Sequence, residues 1–325
     1  MKKILIIGYG SIGKRHAENI KQITSNNAKI IICRLSNNKK IKNYTTVFSL
    51  KEAFNNHIDV AIVATPASTH ISIAIQCVKN NIPVFIEKPI SNTLQNTNKL
   101  LHISKKNNII VMVGCNMRFH PGLIKVHSLL KQKKIGKVIS IIAQVGQYLP
   151  DWRHGIPYTK TSSAQKQLGG GVILDLIHEL DYLYWFFGKP KNIFCLAGKK
   201  SALKINTEDH AEILLNFQKN ETAYVHLDYI QRSPDRTCKI IGEKGTIFWN
   251  YFTDTVSIFT LKNKWQNFHF NKFKKNDMYK KEIKHFLYTV KNKTTPLIDL
   301  QQGIEVLKIA LAAKKSSKYE KLFKI

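Results

Sequence analysis

Three short stretches of this chain combine residue types and spacings that can do chemistry. Near the start, Gly8-x-Gly10-x-x-Gly13 follows the apolar run Ile4-Leu5-Ile6-Ile7 and precedes a polar, helix-compatible stretch. Between a buried strand and a helix, such glycines allow a tight turn, a close approach of backbone to a pyrophosphate, and close packing of helix on strand. The amides of Ser11, Ile12 and Gly13 would then face the anion. Glycines also mark ordinary loops, and it is the place at the head of an alternating pattern that favours dinucleotide binding. Further on, Glu87-Lys88-Pro89 closes an apolar run, and Asp175-x-x-His178-x-x-Asp181 follows Gly169-Gly170-Gly171. Where a nicotinamide carries the hydride, the protein must position a substrate carbon and move one proton. A group titrating near neutrality, within about 3 Å of the reacting hydroxyl, does this. Histidine fits without a shift, and lysine fits once desolvation or a neighbouring cation lowers its pKa. At i and i+3, Asp175 and His178 share one face of a helix expected over residues 172–187. The bland alternatives are a capping or salt-bridged aspartate beside a core histidine, and one surface lysine among many.

The elements that must hold these residues alternate between strand and helix. Ile30-Ile31-Ile32-Cys33 reads as a second strand, and residues 59–66 as another, ending in Thr65-Pro66. A helix is expected over residues 67–80, a strand over 83–86, a helix over 94–107 and a strand over 109–114. That pattern means a parallel, doubly wound sheet whose ligands lie outside the carboxyl ends of the strands. Gly8, Thr65, Lys88 and Asn116 all fall at or just past such ends. At the end of the second strand, where an acid would hold a ribose 2′-hydroxyl, stand Arg34 and Ser36 and no acid. They suit a 2′-phosphate, so the expected cofactor is NAD(P), leaning to NADP; the plain alternative for Arg34 is a solvated loop residue.

Together these motifs resemble the glucose–fructose oxidoreductase/inositol dehydrogenase/MocA-like (Gfo/Idh/MocA) NAD(P)-dependent oxidoreductases. The resemblance rests on the glycine turn, Thr65-Pro66-x-x-x-His70, Glu87-Lys88-Pro89 and Gly114-x-Asn116-x-Arg118-Phe119. It continues in Gly169-Gly170-Gly171-x-x-x-Asp175 and His178-x-x-Asp181, in family order over most of the chain. It implies that Lys88 hydrogen-bonds the reacting oxygen, that the Lys88–Pro89 bond is cis, and that His178 accepts the proton with Asp175 orienting it or the substrate. It also adds Pro66, His70 and Glu87 to the cofactor-binding set. The common family spacing of aspartate and histidine is four residues, whereas here it is three. Which of Lys88 and His178 takes the proton therefore stays open.

After Pro121 the texture changes to a helix over 123–134, a strand over 138–146 and a turn-rich aromatic stretch at 148–155. Strands follow at 211–217, 223–229, 237–241 and 246–250, the last two joined by Gly242-Glu243-Lys244-Gly245 as a hairpin. Weaker edge strands are expected at 256–261 and around Phe268, and helices over 277–291 and 300–314. The expected architecture is an α/β Rossmann domain over 1–120 and an α+β domain over 121–325. The resemblance makes the second sheet mainly antiparallel, with its open face used for dimerisation. Asn116, Arg118, Tyr148, Trp152 and Arg153 are candidates for the substrate pocket. Arg153 suits a carboxylate or phosphate, and Trp152 or Tyr148 a sugar or base. Core packing for Trp152 and an ion pair for Arg153 are equally open, and Arg118 in its setting more often braces the domain junction.

Composition bounds the rest. The chain has 325 residues, 43% of them apolar, enough for two cored domains. No apolar run approaches the ~20 residues of a membrane span. The start, Lys2-Lys3 before a short apolar run, lacks the length and cleavage site of a secretory leader. Five scattered cysteines without a Cys-x-x-Cys read as buried, reduced thiols of a cytoplasmic protein. Fifty-one basic against twenty-one acidic residues give a net charge of +30, yet only six of the basic residues are arginine. Nucleic-acid readers concentrate arginine, so no specific nucleic acid is expected, and the diffuse field suits phosphorylated substrates instead. No His-Glu-x-x-His or Cys/His cluster marks a metal, and no Gly-x-Ser-x-Gly a covalent hydrolase. The expected activity is hydride transfer to or from a sugar, cyclitol or nucleotide sugar, by a homodimer or homotetramer. Residues 148–153, 162–164 and 169–181 look more like members of surface-polysaccharide sugar synthesis than of inositol degradation. The rival readings are an NAD-dependent glycoside hydrolase of the same fold and a non-catalytic dinucleotide-sensing regulator.

Overall fold

The computed structural model describes residues 2–35, 39–153 and 155–325. They form two compact units, the first running to Asn116 and including Lys275–Ile304, the second comprising Met117–Lys274 and Glu305–Ile325.

In the first unit, six strands form one parallel sheet: β1 (Lys2–Ile7), β2 (Ala28–Cys33), β3 (Thr45–Val47), β4 (Val60–Val63), β5 (Val84–Glu87) and β6 (Val111–Gly114). Their order is β3-β2-β1-β4-β5-β6. The chain reverses its direction of strand addition between β1 and β4, and the crevice at such a reversal is where doubly wound sheets take ligands. β4, β5 and β6 are buried along their whole length because helices cover both faces, which is why they read as unbroken apolar runs. The helices are α1 (Ser11–Ile23), the short α2 (Leu50–Phe54), α3 (His70–Lys79) and α4 (Thr97–Lys106). Neither β3 nor α2 was legible in the sequence, being three and five residues long.

The second unit is built on nine strands, β7 (Val138–Gly146), β8 (Asn192–Gly198), β9 (His210–Asn216), β10 (Thr222–Asp228), β11 (Asp235–Gly242), β12 (Gly245–Asn250), β13 (Thr255–Thr260), β14 (Lys264–His269) and the two-residue β15 (Phe323–Lys324). The order is β14-β13-β12-β11-β7-β10-β9-β8-β15, and every pair is antiparallel except β10 with β7. Gly242 faces Gly245 across the two-residue turn, as the hairpin signal requires. Alternate residues such as Ile213, Leu215, Val225, Leu227, Ile240 and Trp249 form the core on one face. Helices α5 (Pro121–Lys131), α6 (Val172–Asp175) and α7 (His178–Phe187) belong to this unit. The helix expected over 172–187 is thus two helices, a correction taken up below.

Helix α8 (Asn276–Asn292), read from the sequence as part of the second domain, groups with the first unit. Its Asn276 exchanges reciprocal amide hydrogen bonds with Asn19 of α1, Tyr279 lies under Arg15, and Phe286 packs on Phe85 of β5. Just beyond it, the Val113 amide donates to the Ile298 carbonyl, so this return segment is bonded to the edge strand β6. Helix α9 (Leu300–Tyr319) contributes its first residues to the first unit and the remainder to the second. Ser316 and Ser317 accept the Cys195 and Ala197 amides, which closes most of the exposed edge of β8.

Candidate active site

The glycine turn lies at the carboxyl end of β1, beside the reversal point. Gly8 has φ +94°, and a β-carbon there would meet the Ala64 carbonyl at 2.5 Å; one on Gly13 would meet the Gly8 carbonyl at 2.2 Å. Those two positions therefore hold β1, β4 and α1 together. A β-carbon on Gly10, by contrast, meets nothing within 4 Å, so the chain there borders open space. Ser11, Ile12 and Gly13 begin α1, where helix amides lack intrahelical acceptors, and no acid stands in that first turn. This is a cradle that fits a dinucleotide pyrophosphate.

Arg34 follows the last residue of β2, its amide bonded to the Val47 carbonyl and its guanidinium donating to the Lys39 carbonyl at 2.7 Å. Ser36, the other residue assigned to a 2′-phosphate, lies outside the described residues. Past β4, the Thr65 hydroxyl accepts from Thr69, and Pro66 opens the short turn into α3. His70 is 1% exposed, with Nε2 at 2.7 Å from the Thr65 carbonyl and Nδ1 at 2.9 Å from the Pro89 carbonyl. Burial pushes its pKa below the ordinary 6.5. Its ring is engaged by two loop carbonyls and so braces the ends of β4 and β5.

Lys88 stands half-buried just past β5, and the Lys88–Pro89 bond is cis. The preceding Glu87, buried, accepts the Lys88 amide and lies 2.6 Å from Nε2 of His16, which is fully buried on α1. His16 was missed by sequence reasoning. Its only signal is its place three residues after Gly13, one turn along the helix that opens at the glycines. Asn116 is buried in a single 3₁₀ turn after β6.

In the second unit, Gly171 (φ +113°) caps α6, whose last residue is Asp175. Leu176 departs from helical geometry (φ −96°, ψ 30°), and α7 opens at His178. Asp175 and His178 therefore do not share a face of one continuous helix; a 3₁₀-like step, Glu179 amide to Leu176 carbonyl, separates them. Asp175 Oδ2 accepts from the Tyr229 hydroxyl at 2.6 Å. Burial and this carboxylate raise the Tyr229 phenol well above its usual range, so it keeps its proton and donates. His178 is buried at the first position of α7.

Two arginines fix that helix. Arg118 grips Asp181 through Nε and Nη2 at 3.0 and 2.7 Å, both residues being at most 1% exposed. Arg236 pairs with Glu179, donating from Nη2 to Oε2 at 3.1 Å, with Nε 2.9 Å from Oε1 as an ion-pair contact. Arg118, a candidate for the substrate pocket, thus has its guanidinium committed to Asp181 and acts through the helix it anchors. Trp152 and Arg153 line a tight crevice with Leu149, Ile156, Tyr158 and Ser163. Trp152 also donates to the Gln147 carbonyl and meets Tyr229 edge-on at 5.2 Å. The Tyr148 ring lies 3.8 Å beneath the Arg232 guanidinium.

Residues 2–115 match the oxidoreductase family model described as an NAD-binding Rossmann fold, and residues 123–248 match the GFO/IDH/MocA C-terminal domain. The chain belongs to the GFO/IDH/MocA oxidoreductases. It is an NAD-binding dehydrogenase of that family. Myo-inositol 2-dehydrogenase of Thermotoga maritima is 25% identical over 99% of this chain and 98% of its own length. Levoglucosan dehydrogenase in complex with NADH has the same fold, with a TM-score of 0.90 at 16% identity over 100% and 99% of the two chains. So has an NAD-binding oxidoreductase from Klebsiella pneumoniae, with a TM-score of 0.87 at 14% identity over 100% and 99%. In this GFO/IDH/MocA chain the glycine turn and the residues past β4, β5 and β6 gather at the carboxyl edge of the parallel sheet of the first unit. The Asp175–Tyr229 pair and the anchored start of α7 belong to the second unit.

Proposed function

We propose that this enzyme interconverts a secondary hydroxyl and a ketone on a sugar, cyclitol or nucleotide sugar. When bound, the nicotinamide dinucleotide supplies the hydride acceptor or donor. The amides at the start of α1 hold its pyrophosphate, Thr65, Pro66 and Asn116 flank it, and Arg34 pairs with a 2′-phosphate, so NADP is preferred. Lys88 hydrogen-bonds the reacting oxygen. His178, or Lys88 itself, takes the hydroxyl proton as the ketone forms, and Asp175, steadied by Tyr229, orients the reacting group. Trp152 and Arg153 receive the remainder of the substrate, Trp152 against a sugar or base and Arg153 on a carboxylate or phosphate.

The observation that carries this reading is the anchoring of Lys88. It stands at the carboxyl end of β5, on the same rim as the glycine turn, and the carboxylate before it is clamped by a fully buried histidine. Such support serves to aim a side chain and is not needed by a solvated surface lysine. The test is a screen of cyclitols and nucleotide sugars with NAD and NADP, following nicotinamide absorbance. Net cofactor reduction in proportion to substrate consumed is the expected result. Substrate turnover without net reduction would mean transient oxidation and bond cleavage instead, and cofactor binding with no turnover of any candidate would leave a sensor. The same preparation is expected to sediment as a dimer or tetramer. The face of the nine-stranded sheet opposite its core presents Ile142, Leu196, Leu214 and Tyr224, each more than a third exposed.

A further inference from the structure

On the outward face of the nine-stranded sheet, four metal-ligating side chains meet where β9 and β10 pair. The antiparallel register sets His226 opposite Glu212 and Asp228 opposite His210. The two-residue period turns all four to one side. Glu212 Oε1 lies 2.9 Å from His210 Nε2 and 2.8 Å from His226 Nδ1. One donor atom from each of these three half-buried residues lies within 4.8 Å of the other two. We propose that His210, Glu212 and His226 bind a divalent transition-metal ion of the zinc type, with water completing the shell.

The donor set decides the class of ion. Two imidazoles and one carboxylate suit zinc and its neighbours, whereas magnesium and calcium take oxygen donors. Zinc bonds of about 2.0–2.2 Å would be reached by small side-chain rotations from the separations seen. The surroundings support the same reading independently. His226 Nε2 lies 2.8 Å from Asp228 Oδ2, and Asp228, 2% exposed, is itself fixed by the Ile230 and Gln231 amides at 2.7 Å. A carboxylate on the far nitrogen is the usual support of a metal-bound histidine, setting its tautomer and raising its basicity. Without metal both ring nitrogens of His226 are taken by carboxylates, Nδ1 by Glu212 and Nε2 by Asp228. A proton alone accounts for His226; it does not account for His210, whose Nε2 converges on the same Glu212 oxygen while its buried Nδ1 finds no partner among the described residues. No metal spacing was visible in the sequence because the ligands arrive as His-x-Glu and His-x-Asp on separate strands.

The test uses tag-free full-length protein, stripped with a chelator, dialysed and titrated with zinc chloride against a chromophoric chelator. One zinc per chain with micromolar or tighter affinity is expected, unaffected by excess magnesium chloride. His210→Gln and His226→Gln should each weaken it at least tenfold, and Asp228→Asn by about tenfold, with the far-ultraviolet circular dichroism unchanged. Cobalt(II) should give the visible bands of a four- or five-coordinate nitrogen–oxygen site, lost in His210→Gln. Absence of stoichiometric zinc on the wild-type chain overturns the proposal, and so does binding that His210→Gln leaves intact. Should His226→Gln fail to fold, His210→Gln together with the cobalt spectrum decides the matter.

Discussion

Lys88, His178 and Tyr229 differ in what they can contribute, and substitution separates them. On the proposed reading, Lys88→Met removes the donor to the reacting oxygen, and His178→Ala removes an acid/base group. Each should lower kcat by about a hundredfold or more while cofactor affinity, read by fluorescence titration of the reduced dinucleotide, stays within about twofold. Normal turnover in both variants would end the catalytic assignment. Tyr229→Phe keeps the ring against Trp152 but takes the hydrogen bond from Asp175. A fall of about tenfold in kcat with KM little changed is expected, because the lost interaction orients a group instead of binding one. Arg34→Ala should raise KM for NADP far more than for NAD, and equal effects on the two would exclude a 2′-phosphate contact.

At the scale of elements, the start of α7 is held by two buried arginine–carboxylate pairs, Arg118–Asp181 and Arg236–Glu179. Removing one partner leaves an uncompensated buried charge. Asp181→Ala should therefore cost about 3–5 kcal/mol, read from urea denaturation, and Arg118→Met with Asp181→Leu should recover much of it. The brace at the ends of β4 and β5 makes a prediction in pH. His70 in the folded chain has a pKa below its ordinary value, so just below pH 6.5 the unfolded chain binds a proton that the folded one does not. Stability from this group is complete above the ordinary pKa and declines as pH falls through that window. The denaturation midpoint should drop between about pH 7 and pH 5.5, and more shallowly in His70→Asn.

For the whole molecule, all five cysteines are buried and none is in a disulfide. Burial pushes Cys33 to about 11 and Cys77, Cys195 and Cys238 to about 12, so the thiolate needed for attack is scarce at neutral pH. A thiol reagent should label none of them in the native protein and all five after unfolding; rapid native labelling would contradict the packing. Among the described residues no helix is long and apolar enough to cross a membrane. The amino-acid order alone determined the parallel sheet, because strands buried on both faces must be apolar throughout, as at Ile4-Leu5-Ile6-Ile7 and Val60-Ala61-Ile62-Val63. It also determined the glycine turn, because only glycine fits where Gly8 and Gly13 meet backbone atoms. The hairpin at Gly242–Gly245 was legible for the same reason: its signal is local. What only the tertiary structure decided depends on partners distant along the chain. The clamp of His16 on Glu87 spans 71 residues, the grip of Arg118 on Asp181 spans 63, and Tyr229 reaches back 54 to Asp175. The apolar run over 172–187 could not reveal its interruption, because hydrophobic periodicity records which side of a segment is buried and not whether its hydrogen-bond ladder is continuous.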